Sequence, residues 1–213
     1  MDLLHAMARG ELHRKRICGI AVAFTLFCAA TAPAWAFDVE ETFKKGRFVL
    51  SAEGSYGWQV NDEHLHRVTN LEFYDVGARF SLLPFEPLGR DRFWYGALEL
   101  GLEPLYQHYT TPKQAFWAGL AAVVRYHFLS LGRFVPYVEI AGSAGGTDLE
   151  IPEIKSAFAF LLFGGVGASV FVSDKTALYL GYRFQHVSNG DTSKPNRGFE
   201  SNVVVGGVSF YFP

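Results

Sequence analysis

The sequence predicts an all-β fold, an eight-stranded antiparallel transmembrane β-barrel of the outer-membrane type. Three observations carry that reading: an export leader, an even number of alternating strand-like segments, and an apolar composition that no membrane helix accounts for. Hydrophobic residues make up 49% of the chain and aromatics 16%, yet after the leader no apolar stretch is long enough to span as a helix. The remaining apolar surface must then be built from strands.

The leader comes first. Residues 1–36 divide into a basic stretch ending His13-Arg14-Lys15-Arg16, an apolar run from Ile17 to Ala30, and the small-x-small signal Ala34-Trp35-Ala36. This is the pattern of a secretory signal peptide cleaved after Ala36. The apolar run falls short of the roughly 20 residues a spanning helix needs. A lipoprotein reading would use Cys28, but bulky Phe27 precedes it where a small residue is expected. Residues 37–213 form the barrel domain. Both cysteines, Cys18 and Cys28, fall in the leader, which excludes a disulfide or thiolate metal site from the mature chain. Taking the leader's four Lys+Arg and two Asp+Glu from totals of 19 and 21 leaves 15 against 19, a formal net charge of −4. That is no nucleic-acid footprint.

Eight segments follow, at 46–59, 67–83, 91–109, 114–129, 134–147, 157–172, 175–188 and 199–212, separated by turns rich in Gly, Pro, Asp, Asn and Lys. The even count suits a closed bacterial barrel. In the second, Tyr74, Val76, Ala78, Phe80 and Leu82 oppose Asp75, Gly77, Arg79 and Ser81. In the third, Leu98, Leu100 and Leu102 oppose Ala97, Glu99, Gly101 and Glu103, and Pro104 predicts an edge bend or bulge. The fourth alternates most clearly, with Phe116, Ala118, Leu120, Ala122, Val124, Tyr126 and Phe128 on one face and Gly119, Ala121, Arg125 and His127 on the other.

The charged faces, joined by Glu139 of the fifth segment and Arg183 of the seventh, mix both signs with Gly and Ala, as a narrow eight-stranded interior requires. His127 belongs to that internal network. Aromatics near segment ends (Trp58, Trp94, Tyr95, Tyr106, Tyr109, Trp117, Tyr137) are expected to form girdles at the membrane interfaces. The eighth segment ends in Val204, Gly206, Val208, Phe210 and Phe212, the aromatic-rich alternation of a C-terminal barrel strand. With periplasmic termini, the connections 60–66, 110–113, 148–156 and 189–198 face outward. The last of these carries the chemistry.

In the seventh segment Leu178, Leu180, Tyr182 and Phe184 define the lipid-facing parity, which continues into His186 and Ser188. Counting back from Phe212 through Val204 and Asn202 places Glu200 on the same face. Directly opposite residues of an antiparallel hairpin share a face with Cβ atoms ~4.5–5.5 Å apart, so Glu200 can hold one imidazole nitrogen of His186 while the other serves Ser188. A serine activated by a histidine that a carboxylate orients is the requirement for a nucleophilic hydroxyl near neutral pH. The plainer reading is a polar patch among lipid headgroups beside an Asn189-Gly190 turn.

The stretch Tyr182-Arg183-Phe184-Gln185-His186-Val187-Ser188-Asn189, followed by Pro195-Asn196-Arg197-Gly198-Phe199-Glu200, resembles the signature of the PagL family of lipid A 3-O-deacylases. The resemblance implies an outer-membrane hydrolase that removes the ester-linked acyl chain at the 3-position of lipid A, with Ser188 as nucleophile, His186 as general base and Glu200 as its orienting partner. It implies Asn189 and Asn196 near the oxyanion, and leaves open which of them donates to it. Asp191 departs from the small residue relatives often carry. The expected partners are lipid A or lipopolysaccharide as substrate and the surrounding outer-membrane lipids, with a homodimer left open and no nucleic acid; no cofactor or metal is implied. His64-Leu65-His66 beside Asp62 and Glu63 reads as a solvated loop rather than a metal site. The rival classes are a non-catalytic structural or adhesin-like barrel, which calls for longer outward loops, and a barrel phospholipase or acyltransferase, which shares the outward serine.

Overall fold

The computed structural model describes residues 37–60 and 69–213. The leader with its cleavage site at Ala36, and the His64-Leu65-His66 motif, lie outside the described residues. Eight strands, β1 (Phe48–Gln59), β2 (Glu72–Leu82), β3 (Gly96–Thr111), β4 (Ala115–Phe128), β5 (Phe134–Thr147), β6 (Phe158–Ser173), β7 (Thr176–Ser188) and β8 (Phe199–Phe212), pair in chain order. β1 pairs with β8 and closes the barrel. A short helix, α1 (Val39–Thr42), precedes them, capped by Asp38, whose carboxylate accepts the Glu41 N–H at 3.0 Å.

Two strand starts differ from the sequence expectation, each for a local backbone reason. β2 begins at Glu72 because Asn70 sits in the left-handed region at φ 57°. β3 begins at Gly96, not residue 91, because Asp91 at φ 65° and two turn hydrogen bonds, Arg92 N to Gly89 O and Tyr95 N to Arg92 O, shape the preceding chain. Pro104 lies at no edge, since a closed barrel has none. It sits where the β2–β3 ladder is interrupted, between the pairs Gly77↔Leu105 and Phe80↔Leu102.

Alternation sorts the side chains as a membrane barrel must. Leu50, Phe80, Leu102, Leu120, Ile140, Leu162 and Phe184 are exposed on the outer wall. Inside, Arg79, Arg125 and Arg183 interleave with Glu53, Glu103 and Glu139, all buried. Arg183 Nε lies 2.7 Å from Glu139 Oε1, and Arg125 Nη2 lies 2.8 Å from Glu139 Oε2. Arg79 joins Glu53, Glu103 and Glu139. His127 Nε2 stands 2.7 Å from Glu99 Oε2. Small residues across the lumen make room for this layer, and each of the three arginines is paired with a carboxylate because an unpaired one would be costly there.

Of the aromatics expected in the girdles, three are interior residues instead, and Tyr95 is half-buried against the inner cluster around Phe43. Tyr109, Trp117 and Tyr137 are buried in the lumen, with Trp117 Nε1 donating to Ala159 O at 3.1 Å. Each lies on the odd, inward parity of its strand, so position near a strand end was the weaker signal. Trp58, Trp94 and Tyr106 do face outward. Apolar layers cover the charged layer on both sides: Leu71, Phe73, Tyr109, Trp117, Leu149, Ile151, Ile154 and Phe199 towards the outward connections, and Phe43, Leu83, Leu129, Phe171 and Tyr211 towards the other end.

Candidate active site

The β7–β8 ladder pairs His186 directly with Glu200, ends at Val187↔Phe199, and leaves a connection of Ser188 to Gly198 beyond it. His186 Nδ1 and Glu200 Oε1 are 3.0 Å apart, and both side chains are 38% exposed on the outer wall. Their strand neighbours on the same face are apolar: Leu162 pairs with His186, and Phe160 with Ser188. One step towards the membrane centre, Phe184 pairs with Asn202, whose Oδ1 accepts the Tyr182 hydroxyl at 2.6 Å. A carboxylate on a lipid-facing wall is costly unless near the interface or paired, and Glu200 is both at the strand end and paired.

Ser188 shares the half-buried outer face with His186. Its hydroxyl makes no hydrogen bond among the described residues. Residues two apart on a strand are separated by ~6.6–6.8 Å, and catalytic hydrogen bonds in ligand-free sites are commonly long. Nδ1 being taken by Glu200, the Nε2 edge of the ring is the one left for a serine or substrate.

Asn189 turns away from the outer wall and is fully buried. Its Nδ2 donates to Ser193 O and Oγ at 3.0 and 2.9 Å and to Pro195 O at 3.4 Å, and its Oδ1 accepts Asp191 N at 3.0 Å. Both amide hydrogens are spent inside the connection, so Asn189 organises the turn and has none for a substrate. Asn196 Oδ1 accepts the Asn189 backbone N–H at 2.9 Å. Since that N–H can only donate, the amide orientation is fixed by the network, and Asn196 Nδ2 keeps its hydrogens without a partner among the described residues.

Gly190 and Asp191 adopt left-handed conformations at φ 62° and 64°, which Asp tolerates better than most side chains. The Asp191 carboxylate pairs with Lys194 in solvent. The departure at Asp191 therefore keeps the turn's backbone course.

Two residues without a role in the sequence reading shape the site. Gly198 is buried with φ 68°, and a Cβ there would lie 2.8 Å from His186 Cε1 and 2.9 Å from Val187 O; only glycine lets the chain pass so close to the imidazole. Its place between the connection and β8 was the one available hint. Glu153, in the 148–156 connection, is buried. Its Oε1 accepts Thr69 N at 3.0 Å and Gln59 Nε2 at 3.3 Å, its Oε2 accepts the Thr69 hydroxyl, and its backbone carbonyl accepts Arg197 N at 2.8 Å. Nothing in the sequence distinguished it from a solvated loop acid.

Comparison with known proteins bears on the same region. The family model of lipid A 3-O-deacylase (PagL) matches residues 73–209, a span that includes the whole β7–β8 hairpin as far as Ser209. Among solved structures, the Neisserial surface protein A barrel superposes with a TM-score of 0.56 at 16% identity, over 79% of this chain and 100% of that one. The outer membrane enzyme PagL superposes with a TM-score of 0.53 at 17% identity, over 75% of this chain and 97% of that one. At such identities the two structures establish the barrel fold. No curated protein matches the chain.

Proposed function

The chain belongs to the PagL family of lipid A 3-O-deacylases, and on that premise we propose that it hydrolyses the ester-linked 3-hydroxyacyl chain at the 3-position of lipid A through Ser188, His186 and Glu200. The observation that carries the reading is the His186–Glu200 pair at 3.0 Å on the lipid-facing wall, two residues from an unengaged serine hydroxyl. A polar patch seated among headgroups has no need of a buried, internally bonded turn beside it.

Ser188 Oγ attacks the ester carbonyl carbon while His186 takes its proton, and Glu200 holds the ring through Nδ1 and stabilises the imidazolium that forms. The tetrahedral intermediate collapses by breaking the bond to the sugar oxygen, which receives the proton from His186. Water then gives a proton to His186 and attacks the acyl-serine; the bond to Ser188 Oγ breaks, Oγ takes that proton back from His186, and the 3-hydroxy fatty acid leaves. Asn196 Nδ2 and the Gly190 backbone N–H, neither engaged among the described residues, serve the oxyanion. The outward position suits the substrate, since a lipid diffusing in the membrane brings its ester to the wall with its acyl chains still in the bilayer.

The test is the mass of lipid A from cells expressing the protein and its Ser188→Ala variant. Loss of one 3-hydroxyacyl group with the intact serine only is the expected result. Unchanged lipid A despite a folded, heat-modifiable barrel in the outer membrane would refute the activity.

A further inference from the structure

We infer that Glu153 is a positioning residue for the reaction, acting through Asn196: a buried carboxylate outside the catalytic hairpin holds the backbone that presents the oxyanion donor. The inference rests on the proposed deacylase reading and adds to it a residue on another connection.

Residues 193–197 are held in place mostly from outside their own hairpin. Their connection has few backbone partners of its own, since the β7–β8 ladder ends at Val187↔Phe199. Beyond it the partners come from the 148–156 connection. Arg197 N donates to Glu153 O at 2.8 Å, Ile154 bridges Asn196, Lys155 N donates to Pro195 O at 3.3 Å, and Ser193 Oγ donates to Lys155 O at 2.6 Å. Residues 153–155 and 193–197 thus run together as a short antiparallel ribbon. Asn196 sits at its centre and reaches the residue after Ser188 through Asn189 N.

A ribbon this short needs an anchor, and Glu153 is the one the structure shows. Its carboxylate takes three hydrogen bonds from Gln59 at the end of β1 and from Thr69 ahead of β2. No Lys or Arg among the described residues pairs with it. A buried carboxylate held only by neutral donors is a costly arrangement for mere surface tethering; what it secures is the register of the ribbon against the barrel rim. On one side Ile151 and Ile154 pack into the apolar layer that closes the lumen. On the other, residues 153–155 carry Asn196 to the site.

The experiment measures steady-state release of 3-hydroxy fatty acid from lipid A by the full barrel in detergent. The proteins compared are wild type, Glu153→Ala, Glu153→Gln, Asn196→Ala and the Glu153→Ala/Asn196→Ala double variant, each first shown to be heat-modifiable. Glu153→Ala is expected to lower kcat by about 10- to 100-fold with KM nearly unchanged, since a misplacement near 1 Å costs that much. Glu153→Gln keeps an acceptor for Thr69 N and Gln59 and should recover most of the loss. The double variant should be no slower than Asn196→Ala alone, because two residues acting through one donor are not additive. A Glu153→Ala enzyme of wild-type kcat, or losses that multiply in the double variant, would overturn the inference while leaving the deacylase reading intact. An inactive but folded wild type would instead sink that reading. If Glu153→Ala does not fold, Thr69→Val removes one donor from the anchor, and a kcat equal to wild type in that folded variant overturns the proposal.

Discussion

Gly198→Ala is the sharpest perturbation of the site that removes no reacting group. The added Cβ would meet His186 Cε1 at 2.8 Å, His186 Nε2 at 3.2 Å and Val187 O at 2.9 Å, at a backbone φ of 68°. Carbon atoms rest at ~3.5–4.0 Å, so the ring must retreat by about 0.7–1.2 Å, while the left-handed backbone costs ~1–2 kcal/mol with an L side chain. The backbone cost falls on stability and the retreat falls on chemistry. A 1 Å misplacement of a reacting group costs on the order of 10²-fold in rate, and kcat should fall by about that factor. Gly132→Ala is the matched control, with a similar φ of 62° but nothing within 4 Å of the new Cβ. It should lose a comparable amount of stability and no activity. The assay is initial release of 3-hydroxy fatty acid by heat-modifiable protein, alongside the unfolding midpoint of both variants. A Gly198→Ala enzyme within threefold of wild type would mean that the imidazole is not where the reaction needs it, and would refute the assignment of His186.

Other substitutions separate the interior from the site. Asp191→Gly removes only a solvent-exposed ion pair with Lys194, worth ~0–1 kcal/mol, and should change kcat by less than about fivefold in the same assay; a rise of 10² or more would show that the carboxylate obstructs the oxyanion site. Asn189→Ala strips the donors from Ser193 and Pro195 and should cost on the order of 10²-fold in kcat, as for a displaced oxyanion donor, with an unfolding midpoint near wild type. Glu139→Ala leaves Arg125 and Arg183 facing one another without their shared carboxylate and should destabilise the barrel by ~3–5 kcal/mol, read from urea unfolding in lipid vesicles. Leu102→Arg, on the exposed middle of β3, should cost ~2–4 kcal/mol in the same measurement, whereas Leu131→Arg in the β4–β5 turn should cost ~0–1.

The fold was legible because a barrel wall states its two faces residue by residue. Asp75, Arg79, Glu99, Glu103, Arg125, Glu139 and Arg183 are all interior, as their parity required. Parity also defeated the girdle reading of Trp117 and Tyr137, which alternation alone would have placed inside. The register between His186 and Glu200 could be counted for the same reason, from lipid-facing residues along each strand. The connection could not be read that way. Asn189 turned inward because its amide fits the carbonyls of Ser193 and Pro195, a match set by turn geometry that no periodicity encodes. Glu153 was invisible because its partners, Gln59, Thr69 and Arg197, come from three other parts of the chain.

If the proposed site is the catalytic one, the two faces of β7 explain how it can work on the outside of so thin a wall. Arg183 points inward and is held by Glu139 and Glu53, and Gln185 points inward to Gln107 across the lumen. His186 follows Gln185 immediately on the opposite face. The backbone that carries the imidazole is therefore clamped from within by charged and amide hydrogen bonds one and three residues away. Because strands alternate, tightening the interior leaves the exterior side chains free to meet a lipid. The filled, charge-paired lumen thus serves the outer site as a rigid backing, and rigidity of this kind is what a preorganised oxyanion arrangement needs. A barrel with an open, watery lumen would have to hold His186 by its lipid-facing neighbours alone, and those are the residues that must yield to the substrate.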